Sequence, residues 1–232
     1  MFGAPMSLAD PHLRLVLLLA SLALAAAEEA AATVLTDVPA RPDPQARYLI
    51  FLHGKIVEDE GPRPTHPAFG VYEYATILDV LAARGLAVIS EQRPAGTATD
   101  RYAERVVGQV RRLLGAGVPP RQVTVAGFSK GGAIAVLTAA QLEQESVNFV
   151  FLAACSEDLL ARRDIRVQGR ILSIIEASDQ VGHSCEPLHR QAAPGTVFEE
   201  IRLDTGAGHG AFFQPRPAWI DPVVRWTTGG TP

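Results

Sequence analysis

The sequence predicts an α/β fold: a doubly wound, mostly parallel sheet with helices on both faces. Three observations lead there. Short apolar runs recur at 48–52 (YLIFL), 86–90 (LAVIS), 123–126 (VTVA), 148–154 (NFVFLAA) and 171–177 (ILSIIEA), with a more mixed run at 197–203. Strands without a polar face belong to sheets covered on both sides. Between them lie segments whose apolar residues recur at helical spacing, and the alternation repeats about six times along the chain. Right-handed crossovers then wind the helices onto both faces, and ligands bind beyond the carboxyl ends of the strands.

The elements follow in order. Residues 28–47 form a lead-in with one short strand around 33–35. The strand 48–52 ends in His53-Gly54, and the Pro-, Gly- and charge-rich stretch 55–71 reads as an irregular covering loop. Tyr74, Ile77, Leu78 and Leu81 mark a helix that stops at Gly85. After the strand 86–90 comes a loop at 95–100. A second helix follows, with Ala103, Val106, Val107, Val110, Leu113 and Leu114 on one face. The strand 123–126 leads into a small-residue helix from Lys130 to about Gln144. The strands 148–154 and 171–177 are joined by a short connection containing Leu159 and Leu160. A further loop and helix reach 197–203, and Trp219, Val223, Val224 and Trp226 mark a closing helix with Pro222 near its start.

Size and composition fit one globular domain: 232 residues, 47% hydrophobic and 20% charged. A formal charge of −4 gives no electrostatic footprint for nucleic acid. No internal repeat is present, which excludes solenoids and propellers. The N-terminus has Arg14, an apolar run at 15–25 and Ala25-Ala26-Ala27 before Glu28, the order of a signal peptide over 1–27. An uncleaved anchor is the alternative. Cleavage predicts a periplasmic or secreted protein with no membrane association, whose domain runs from 48 to 232. Two cysteines, Cys155 and Cys185, are able to form one disulfide in an oxidising compartment, and their spacing matches no zinc pattern.

Gly127-Phe128-Ser129-Lys130-Gly131 is a G-x-S-x-G sequence set between a strand and a helix. A sharp turn there holds the serine in strained geometry. Side chains two residues to either side would collide, so glycine is required. Ser129 then sits at a helix N-terminus, where free N–H groups favour developing negative charge.

With this elbow, with His53-Gly54 after an earlier strand, and with an acid and a histidine after later strands, the chain resembles the α/β-hydrolase family from Tyr48 to the tail. It looks most similar to small, lidless bacterial members of the esterase and dienelactone-hydrolase kind. The resemblance implies Ser129 as nucleophile, His209 in the Gly-rich loop 206–210 as base, and Asp179 as the acid that orients it. Glu176, Glu157, Asp158 and Asp204 compete for the acid role. The oxyanion hole would use the N–H of Lys130 and, after His53-Gly54, that of Lys55. The chain lacks the HGGG sequence of many lipases, and His53 reads as a brace for its loop.

Lys55 and Lys130 lie near the strand ends. They read as solvated side chains whose backbone matters, or as attraction for an anionic substrate. Glu91 and Arg93 follow another strand end, and pairing with those lysines would weaken the anion idea. Tyr72, Phe128 and Phe212 are candidates to line an apolar pocket or to serve as core. A Cys155–Cys185 bridge would stiffen the acid loop. The expected activity is cleavage of a small ester or related acyl compound, with no cofactor or metal implied. A non-catalytic binding protein on this fold, or a lyase or perhydrolase reusing the three residues, are the alternatives.

Overall fold

The computed structural model describes residues 34–231, so the expected signal peptide lies outside the described residues. Seven strands form one sheet in the order β1-β5-β2-β6-β7-β8-β9, and every pairing is parallel. They are β1 (Val34–Leu35), β2 (Tyr48–Leu52), β5 (Ala87–Ile89), β6 (Val123–Phe128), β7 (Asn148–Leu152), β8 (Arg170–Glu176) and β9 (Val197–Leu203). A separate hairpin pairs β3 (Thr65–His66) with β4 (Gly70–Val71). The helices are α1 (Lys55–Glu60), α2 (Tyr74–Ala82), α3 (Thr99–Gly115), α4 (Lys130–Leu142), α5 (Glu157–Ala161), α6 (Glu186–Arg190) and α7 (Pro217–Thr227).

Alternation along the strands sends side chains to two cores, one on each face of the sheet. Ile50, Leu52, Val123 and Val125 point to the face covered by α3 and α4, where Val106, Val110, Leu113 and Ile134 are fully buried. Leu49, Phe51, Ala126 and Phe128 point to the other face, against Ile77 and Leu81 of α2 and Trp219, Val223 and Trp226 of α7. Fully burying each such side chain contributes about 1.5–3 kcal/mol, which is why unbroken apolar strands tolerate only this layered arrangement.

The chain runs from β2 outward to β5, then crosses back through α3 to β6 on the other side of β2. The strand order therefore reverses between β2 and β6. In open α/β sheets this switch point opens a crevice at the carboxyl ends of the strands. Gly54 follows β2 there, and Ser129 follows β6.

Two expectations need correction. The stretch 55–71 is not irregular: it holds α1 and the β3–β4 hairpin. Val57 is the buried apolar residue of α1, and Tyr72 N–H donates to Pro64 O at 2.9 Å to close the hairpin. The closing helix begins at Pro217, not beside Pro222, which lies inside it. Its apolar stripe starts at Trp219 and Ile220, so the helix must begin before Pro222, and Pro217 supplies the pre-set φ of a first helical position.

Candidate active site

The turn after β6 has the strained form that the motif predicts. Ser129 has φ 54° and ψ −118°, unusual for a residue with a side chain, and caps the N-terminus of α4. Its N–H donates to Leu152 O at 3.0 Å, and its carbonyl accepts from Ala133 N–H at 2.9 Å, which pins the turn from both sides. A Cβ at Gly127 would lie 2.1 Å from Gly131 O, and one at Gly131 would lie 2.0 Å from Leu52 O. Neither backbone atom can move aside, so both positions admit only glycine.

His209 Nε2 lies 2.9 Å from Ser129 Oγ, and His209 Nδ1 lies 2.8 Å from Asp179 Oδ2. Three residues from three separate loops form one hydrogen-bonded chain. Asp179 Oδ1 also accepts from the N–H groups of Val181 (2.8 Å) and Gly182 (3.1 Å). Burial opposes the charge on Asp179, but the His209 contact and these two donors outweigh it and hold the carboxyl below its usual range. An ionised carboxylate only accepts hydrogen bonds, so Nδ1 carries the imidazole proton and Nε2 is left to accept from the serine hydroxyl. The other candidate acids do not touch the imidazole: its only hydrogen-bonding carboxylate among the described residues is Asp179.

Lys55 and Lys130 are the first residues of α1 and α4, so neither N–H has an intrahelical partner. No other partner occurs among the described residues either. A Cβ on Gly54 would lie 3.7 Å from the Ser129 Cβ, so the backbone leading into α1 runs beside the nucleophile. The lysine side chains are occupied elsewhere. Lys55 pairs with Asp59 on the exposed face of α1, and Lys130 Nζ donates to Glu58 Oε1 at 2.5 Å. Neither is free to attract an anion.

The partner of Lys130 is Glu58, which sequence reasoning missed. It is buried, and it also accepts from Arg93 Nε at 3.2 Å and Thr97 N–H at 3.0 Å. Burial opposes its ionisation, yet Lys130 and Arg93 prevail and lower its pKa. Arg93 cannot pair with lysine, a like charge. It meets Lys130 through Glu58, while Glu91 binds Tyr102 and Arg105 instead. Arg93 N–H donates to His53 Nε2 at 2.9 Å, and its guanidinium donates to His53 O. Burial first, and the Arg93 charge second, push the His53 pKa down to about 4. His53 is thus a neutral brace for the Gly54–Lys55 turn.

Tyr72, Phe128 and Phe212 are core residues, not the lining of an open pocket. Each is at most 1% exposed. Phe128 packs edge-on to Tyr72 and supports the imidazole of His209 from 4.8 Å. Phe69, not foreseen, is the aromatic that reaches over the histidine loop: a Cβ on Gly210 would meet its Cβ at 2.6 Å. Phe69 also borders a cavity of about 370 Å³ with Ala68, Ser178, residues of the 206–210 loop and Arg216. Cys155 and Cys185 are disulfide-bonded, with Cα atoms 5.5 Å apart. Together with His183 N–H donating to Cys155 O at 2.8 Å, the bridge ties the acid loop to the end of β7. Among the described residues no cluster of three or more His, Cys, Asp or Glu side chains is arranged to hold a metal ion.

Fold and elbow together define the class: the chain has the α/β-hydrolase fold. Among solved structures it superposes on SOBER1 of Arabidopsis thaliana with a TM-score of 0.51 and 12% identity, covering 79% of this chain and 98% of that one. Carboxylesterase CesB (YbfK) of Bacillus subtilis gives a TM-score of 0.51 at 14% identity over 84% and 86% of the two chains. An esterase/lipase from an uncultured bacterium gives 0.51 at 10% identity over 79% and 75%. At these identities the likeness is one of fold. No protein-family model matches the sequence, and a search of curated proteins finds no match.

Proposed function

We propose that the protein is a serine hydrolase that cleaves a small carboxylic ester, or a related acyl compound, through an acyl-enzyme. The observation that carries this reading is the unbroken Asp179–His209–Ser129 hydrogen-bonded chain at a strained turn. Ser129 Oγ attacks the acyl carbon as His209 Nε2 takes its proton. Negative charge gathers on the carbonyl oxygen, and the free N–H groups of Lys130 and Lys55 receive it. The tetrahedral intermediate collapses as protonated His209 gives its proton to the leaving alcohol. Asp179 stabilises the imidazolium throughout without taking the proton. Water, activated by His209, then releases the acid and restores Ser129.

The proposed site uses no metal or cofactor. The residues 1–27 and the Cys155–Cys185 bond together support export to an oxidising compartment.

The test is a panel of short-chain p-nitrophenyl esters, thioesters and lactones, assayed with wild type and Ser129→Ala. Turnover by wild type that disappears in the variant is the expected result. A folded wild type that turns over none of them would point to a non-catalytic binder.

A further inference from the structure

Glu176 ends β8, three residues before Asp179, and is 2% exposed. No lysine, arginine or histidine side chain pairs with it among the described residues. Its charge is met by neutral donors alone, and the two carboxylate oxygens divide them. Oε2 accepts from the Ser178 N–H at 2.7 Å and the Ser178 hydroxyl at 2.6 Å, both in the loop that carries Asp179. Oε1 accepts from the N–H groups of Thr205 and Gly206, each at 2.9 Å, and from the Thr205 hydroxyl at 3.3 Å, all in the loop that carries His209. The Ser178 hydroxyl in turn accepts from the Gly208 N–H at 3.2 Å. That makes a second tie between the two loops, next to the histidine.

We propose that Glu176 is a positioning residue that fixes His209 relative to Asp179 by clamping their two loops, one carboxylate oxygen to each. The proposal rests on the hydrolase reading above, since it concerns the geometry of that triad. A buried carboxylate without a cation is costly unless every lone pair is satisfied. Here the donors that satisfy it are the backbone of the two loops whose spacing sets the Asp179–His209 contact. The Gly206 and Gly208 φ angles of 66° and 54° show why a clamp is needed. A loop with two glycines beside its base has wide conformational freedom, and within residues 205–208 the one internal hydrogen bond is from the Ala207 N–H to Thr205 Oγ1, at 3.3 Å. Charge matters as well as shape. A neutral amide presents only one oxygen, and its NH2 would face the N–H donors of whichever loop the oxygen does not serve.

The experiment uses the full disulfide-bonded protein and a fluorophosphonate probe, whose reaction with the serine requires the triad but no identified substrate. The labelling rate is measured as a function of probe concentration, giving a maximal rate and a half-saturating concentration. For Glu176→Gln the maximal rate is expected to fall about 10²-fold, the scale of a misplacement near 1 Å, with little change in half-saturation. Ser178→Ala, which removes one hydroxyl from the clamp but leaves the carboxylate, is expected to lose about fivefold. A merely structural role would lower the melting temperature of both variants and leave the maximal rate of the folded fraction at the wild-type value, which would overturn the proposal. If Glu176→Gln does not fold, Ser178→Ala decides between the same two outcomes. Failure of wild type itself to label would instead count against the hydrolase reading.

Discussion

The two flanks of the Ser129 turn are held in opposite ways. On the flank that carries Gly54 and Lys55, the buried charge of Glu58 is met by cations, Arg93 and Lys130, with neutral His53 wedged between them and the backbone. On the flank that carries Asp179 and His209, the buried carboxylates are met by backbone N–H groups and hydroxyls, reinforced by the Cys155–Cys185 bridge. The ionic flank forms one rigid support under a backbone turn, where only N–H positions matter. The amide flank must keep two side chains in a line that a proton travels, and short hydrogen bonds from fixed neutral donors set direction more tightly than a cation at the end of a flexible stem. Damage to the first flank should therefore be felt in stability before activity, and damage to the second in activity before stability.

The largest effect should come at the centre that both flanks serve. Ser129→Ala is expected to lower kcat by about 10⁶-fold without unfolding the protein, as read by ester turnover and circular dichroism. Asp179→Asn should follow on the amide flank, with about a 10⁴-fold loss, because an amide in its place favours the wrong imidazole tautomer. Both assays compare folded protein, so the loss is catalytic. On the ionic flank, Glu58→Gln strands Arg93 and Lys130 without an anion. It should cost about 3–5 kcal/mol in a urea unfolding curve. If Glu58→Gln were as stable as wild type, or if Asp179→Asn kept most of the turnover, the contrast between the flanks would dissolve.

Much of this was legible in the sequence, and the pattern of what was not is physical. Continuous apolar strands such as 48–52 and 148–152 identify themselves because both faces are buried. The elbow is legible because sterics leave glycine as the only choice at 127 and 131. The helix α1 escaped notice because six residues are too few to display a period, and its neighbours are prolines, glycines and charges. Glu58 was hidden for a different reason. Its partners Arg93 and Lys130 stand 35 and 72 residues away, and no local pattern joins them. Asp179 follows β8 and Glu176 ends it, so position favours Asp179 as the acid, but only the direction of the side chains reveals Glu176 as the clamp. Tyr72, Phe128 and Phe212 show the same limit: an aromatic beside a site reads as lining or as core until its burial is known.

Acid sensitivity offers a finer division of the flanks. Burial and then the Arg93 charge hold His53 neutral, with a pKa of about 4 against an ordinary 6.5. The unfolded chain thus takes up a proton that the folded one refuses, and the stability His53 contributes is full above about pH 6.5 and lost as pH falls toward 4. Glu176 is opposed by burial but held ionised by its donors, with a pKa of about 2 against 4.5, so its contribution is full above about pH 4.5 and lost between there and 2. Unfolding free energy measured against pH should therefore fall in two stages, that of His53 first and that of the buried carboxylates second. His53→Gln should flatten the slope between about pH 6.5 and 4. Glu176→Gln should flatten only the lower stage. A variant that flattened the other's stage would reverse the assignment.

The central claim is tested most directly by mixing wild type with an activated short-chain ester, quenching within the first turnover and weighing the intact protein. The account predicts an increase equal to one acyl group, located on the peptide that contains Ser129 and absent from Ser129→Ala. Ester turnover by Ser129→Ala at the wild-type rate, or an acyl group carried on any other residue, would contradict it.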